Sequence, residues 1–137
     1  MPARIKRTDS GAGVQVTLGT DVGAGTSFSM LQTMNEAYKV ARLKASYLPA
    51  LRMFYLATLG AARAMDLEGT IGSFAVGAEA DFIVLDPQST PLLARRSSHC
   101  NSLEEQLFAL ALLGDDRAIK ATYAAGVKVH ERGGAVA

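Results

Sequence analysis

VQVTLGTDVGAGTSFSM, residues 14 to 30, passes from one kind of local structure into another, and the fold class follows from how it is read. Val14, Val16 and Leu18 alternate, and β-branched residues surround them, which predicts a short strand over 14–18. Gly19 to Ser29 predicts a loop in which one carboxylate, Asp21, stands among glycines and hydroxyls, with no bulky aromatic side chain before Phe28. From Ser29 the apolar spacing changes to three and four: Met30, Leu31, Met34, Ala37, Tyr38 and Ala41 share one face of a helix. Thr26, Ser27 and Ser29 are its possible caps, and Lys39, Arg42 and Lys44 gather toward its end, where cations suit the helix dipole. A strand, a loop and a helix in that order form a β/α unit, and Asp21 sits just past the end of the strand. On its own, such an aspartate reads as a turn residue whose oxygen accepts local backbone N–H groups.

Outward from this stretch, a second helix is expected to begin near Pro49, a residue tolerated in a first helical turn, and to run to about Met65. Its inward face would carry Leu51, Phe54, Tyr55, Leu59 and Ala62, with Gly60 a mild weakness. A turn-rich segment then leads to a strand over Asp81–Leu85, closed by Asp86 and Pro87. Residues 88–101 read as polar and irregular. Ser102 and Glu105 form a capping box ahead of a helix over Leu103–Leu113, and Gly114 stops it. IKATYAAGVKVHERGG, 119–134, predicts two short strands around Ala125 and Gly126, then a frayed tail. The organisation is a polar arm at 1–13, a β/α part at 14–66, and a β-rich part with one helix at 67–137. One strand feeding two helices cannot cover a parallel sheet on both faces, so the β/α part reads as incomplete.

Composition removes several function classes. The 137 residues carry 14 basic and 13 acidic side chains, a net charge of +1, which leaves no electrostatic footprint for nucleic acid or an anionic membrane. The longest apolar stretches, FYLATLGAA and LFALALLG, fall short of the roughly 20 residues that span a bilayer. No apolar segment of signal-peptide type follows the basic start, and a single cysteine, Cys100, agrees with a reducing cytoplasm. Hydrophobic residues make up 49% of the chain, which points to surface meant for a partner. The glycine-rich loop has no lysine after it and fits no phosphate motif. His99 and Cys100 are adjacent and lack a third orienting group, which argues against a nucleophile and its base. Met30, Met34 and Met53 fall on helical faces and read as core; Arg95, Arg96 and His130 read as solvated surface.

GTDVGAGTSFSM, MNEAYKV and LLGDDRAI resemble the C-terminal part of the guanine deaminases, and GTIGSFAVGAEADFIVLD resembles a segment shared across the metal-dependent amidohydrolase superfamily to which they belong. The likeness runs from about Val14 to Arg132. It implies an α/β fold, a fragment of a (β/α)8 barrel made of the last strand and the helices after it, plus part of a small β-sandwich domain with one helix. It also implies zinc as the family's metal and guanine as substrate, hydrolysed to xanthine and ammonia. Asp21 then corresponds to the metal-binding and catalytic aspartate beyond the last barrel strand, where the loops of such barrels converge on one mouth. Gly23, Gly25 and Ser27 would line the substrate pocket, their small size leaving room for a flat purine.

The same likeness sets a limit. A catalytic zinc takes about three or four protein ligands and an open position. The family's HxH pair and its proton-shuttling glutamate have no counterpart here, and the two histidines, His99 and His130, fall outside any ligand motif. Alone, the chain is expected neither to hold zinc nor to deaminate guanine. Its expected partners are a complementing N-terminal segment or a second copy in a homo-oligomer such as a dimer. The alternative is a non-catalytic assembly protein that keeps the fold fragment.

Overall fold

The computed structural model describes residues 15–134, so the polar arm at 1–13, Val14 and the last three residues of the predicted tail lie outside the described residues. The first correction falls at the opening of the described chain. Residues 15–18 form no strand. A strand is a pairing, and what this segment meets is a helix end: the Leu18 N–H donates to the Leu56 carbonyl at 3.1 Å while its side chain is buried in the core.

Helix α1, Met30–Leu43, follows the predicted spacing, with Leu31, Met34, Ala37 and Ala41 buried and Met30 and Tyr38 packed at the core edge. Of the three possible caps it is Ser29 that acts, its Oγ accepting the Gln32 N–H. Ser27 supports it from outside, accepting the Ser29 N–H at 3.0 Å.

The single helix expected over 49–65 is two. Helix α2 spans Ala50–Ala57 and helix α3 spans Leu59–Ala64, with Pro49 as the residue before the first turn rather than within it. The break is at Thr58, whose hydroxyl donates to the Phe54 carbonyl at 2.8 Å and whose φ of −129° leaves the helical region. Beyond it, Gly60 is required rather than merely tolerated, because a Cβ there would stand 2.8 Å from the Tyr55 carbonyl oxygen. The inward face also differs from expectation. Ala50, Met53 and Leu56 are buried, Phe54 and Tyr55 are half-buried, and Leu51 points outward. Bulk alone favoured Leu51; the phase of the face is set instead by the small Ala50 and the adaptable Met53, which lie on one side.

A second omission lies in the stretch read as irregular. Helix α4, Pro91–Ser97, is capped by Thr90, whose Oγ1 accepts the Leu93 N–H at 3.2 Å, with Pro91 in the first turn. Only Leu93 is fully buried on it, so no apolar period marks it in the sequence. Helix α5, Leu103–Leu113, has the predicted bounds. Half of its capping box forms as expected, Ser102 Oγ accepting the Glu105 N–H at 3.2 Å, but the Glu105 carboxylate takes the N–H of Asn101, one residue before the cap. Helices α1, α2, α4 and α5 contribute one continuous core in which Met53 and Leu93 are wholly enclosed.

Strands β1 (Phe82–Leu85), β2 (Ile119–Ala124) and β3 (Val127–Glu131) form an antiparallel sheet in the order β1-β2-β3. The β2–β3 turn has positive φ at both Ala125 (48°) and Gly126 (78°), the handedness that suits the twist of a two-residue hairpin. An alanine is a strained choice there. The lead-in to β1 holds it: Asp81 Oδ1 accepts the Ala125 N–H at 2.7 Å and the Ala80 carbonyl accepts that of Gly126 at 3.0 Å.

At the other end of the sheet, Arg132 straps β3 to β1. Its guanidinium donates to the Asp86 carboxylate and to the Arg117 carbonyl. The Arg132 hydrogen bond, then the Gln88 backbone N–H, hold the Asp86 carboxyl below its ordinary range. A carboxyl depressed in the fold contributes stability above its unfolded value, about 3.9, and loses it as pH falls through the folded value. Arg132→Ala should therefore flatten the loss of thermal stability between pH 5 and 2 relative to the parent chain, measured as melting temperature against pH. Parallel curves for the two chains would remove this pair as a cause.

Candidate functional site

The site is built on the turn that carries Asp21. Asp21 itself has φ of 47°, a left-handed conformation that aspartate and asparagine adopt more readily than most residues. Its carbonyl closes the turn by accepting the N–H groups of Ala24 at 3.1 Å and Gly25 at 2.5 Å. Its carboxylate is exposed and accepts no hydrogen bond among the described residues. The turn thus uses the backbone of Asp21, and among the described residues nothing engages its side chain, the reverse of what a turn-forming aspartate usually does.

Gly25 is the residue that makes this closure possible. A Cβ there would stand 1.9 Å from the Thr20 carbonyl oxygen, closer than any real contact. Gly25→Ala is expected to open the turn and destabilise the chain by about 1–3 kcal/mol through overpacking against backbone. Gly19→Ala is the control, since its Cβ meets nothing within 4 Å. Denaturant midpoints of the two variants should separate, and equal midpoints would show that the turn is not closed as described.

The turn overlooks an open cavity of about 650 Å³. The loop from Gly19 to Ser27 forms one wall, the polar side of α1 at Gln32, Asn35 and Glu36 a second, and the end of α5 at Leu112–Asp115 a third. Leu18, Ala37 and Val40 supply its apolar floor. Of the three small residues singled out in the sequence, Gly25 and Ser27 line it; Gly23, with φ of 119°, faces open space.

The third wall was not legible in the sequence. Asn35 Nδ2 donates to the Leu112 carbonyl at 3.0 Å, clasping the end of α5 against α1 from 77 residues away. Gly114 sits so close that a Cβ would approach Leu31 Cδ1 to 2.7 Å. A local pattern carries no signal for such a contact.

Three carboxylates face this region, and two are engaged. Glu36 pairs with Lys39 at 2.7 Å. Asp115 is gripped by the Arg117 guanidinium through both oxygens, which holds its carboxyl below the ordinary range. Asp21 has no ionic partner among the described residues. Nor do the described residues bring together three or more histidine, cysteine or acidic side chains in a group that could hold a metal ion. His99 is exposed, and Cys100 Sγ is turned to Arg96, donating to its carbonyl and accepting from its guanidinium, each at 3.5 Å. His130 is exposed on β3, opposite Thr122. The chain's described residues therefore do not fit a zinc cage by themselves: they offer one free carboxylate where such a cage takes about three or four ligands.

Residues 5–129 match the Amidohydrolase family, and the chain belongs to that family. Within the family it is similar to guanine deaminases. It is 52% identical to the guanine deaminase of Escherichia coli over 119 residues, 87% of this chain and 27% of the relative, and 35% identical to that of Homo sapiens over 125 residues, 85% of this chain and 28% of the relative. The solved structure of the E. coli enzyme matches with a TM-score of 0.84 over 87% of this chain and 28% of that one. A guanine deaminase from C. acetobutylicum, solved with guanine bound in its active site, matches with a TM-score of 0.67 at 27% identity over 85% of this chain and 27% of that one. The chain thus spans little more than a quarter of the length of these relatives. No helix among the described residues is long and apolar enough to cross a membrane.

Proposed function

We propose that this chain acts as the C-terminal segment of a guanine deaminase-type amidohydrolase and is inactive until the N-terminal part of that enzyme completes it. The observation that carries this reading is the likeness to the E. coli enzyme, at 52% identity and a TM-score of 0.84, joined to an Asp21 carboxylate that no other described residue engages, at the mouth of a cavity. In it, residues 14–66 supply the closing strand of a (β/α)8 barrel, which pairs once its neighbours are present, and the helices after it; α4 and α5 share the core of those helices, and the β1-β2-β3 sheet within residues 67–137 is part of a small β-sandwich domain. Asp21 is the one carboxylate this segment contributes to a zinc cage whose other ligands lie elsewhere. Gly25 and Ser27 form the wall against which guanine lies, their lack of bulk admitting a flat ring, and Gly23 shapes the turn behind it.

The uncovered apolar surface supports a missing partner. Phe28 is 87%, Leu43 86% and Phe74 84% exposed, large apolar side chains that a covering surface would take out of water. The covering surface is either the complementing segment or a second copy of this chain, and the setting is cytoplasmic.

Mixing the purified chain with the remaining part of E. coli guanine deaminase tests this. The expected result is zinc uptake and ammonia release from guanine in the mixture and neither in either part alone. A mixture that associates tightly but takes up no zinc and releases no ammonia would overturn the enzymatic reading in favour of a non-catalytic assembly role. Deamination by the chain alone would overturn its dependence on a partner.

A further inference from the structure

We draw no further inference here: the strongest candidate, the aromatic face of the small sheet where Phe74, Phe82 and Tyr123 lie ring against ring, is an unpartnered apolar surface, and nothing in the structure shows what covers it.

Discussion

Met53→Ala is expected to lower the unfolding free energy by about 2–5 kcal/mol, the cost of removing a fully enclosed long side chain and leaving a cavity behind. Met53 is 0% exposed at the middle of α2, in the core shared by α1, α2, α4 and α5. Because a domain's net stability is only about 5–15 kcal/mol, this single change consumes a large share of it. Leu51→Ala, two residues away on the same helix, provides the contrast: Leu51 is 53% exposed, and its replacement should stay within about 0.5 kcal/mol. Urea unfolding of the two variants decides between the observed face and the one that bulk alone suggests. If Leu51→Ala were the more damaging, the phase of α2 described above would be wrong.

The second large effect concerns chemistry. In the completed assembly, Asp21→Asn should reduce guanine deamination by about 10²–10⁴-fold, the range associated with losing a positioned proton-transfer carboxylate. The same substitution should leave the melting temperature of the isolated chain unchanged. Asparagine adopts positive φ as readily as aspartate, and the turn is held by the residue 21 carbonyl rather than by its side chain. The pairing of lost activity with kept stability separates a chemical role from a structural one. Activity within about tenfold of the parent would take Asp21 out of the proposed chemistry.

How much of this was legible beforehand depended on whether the signal was local. Helix α5 announced itself at both ends, through Ser102, Glu105 and Gly114, and its bounds came out as read. The β2–β3 hairpin did so through Ala125 and Gly126, and the inner face of α1 through three- and four-residue spacing. Helix α4 escaped because its evidence is a cap, Thr90 and Pro91, with a single buried residue behind it. Thr58 hid the break between α2 and α3, since its hydroxyl competes for the Phe54 carbonyl in a way that composition does not advertise. The alternation Val14, Val16, Leu18 is a strand pattern whose described part, 15–18, finds no strand to pair with. At the site, the residue type and its loop could be read from TLGTDVGAG, whereas the wall at Leu112–Asp115 depends on a contact across 77 residues.

The tether from Asp81 to the Ala125 amide has a consequence for biosynthesis. On a ribosome the carboxylate is made 44 residues before the amide it accepts, so the tether is a long-range contact that forms only once β2 and the turn have been translated. Because β1 pairs with β2 alone among the described residues, pairing of the sheet, closure of the tether and the left-handed turn at Ala125 are parts of one late, cooperative step.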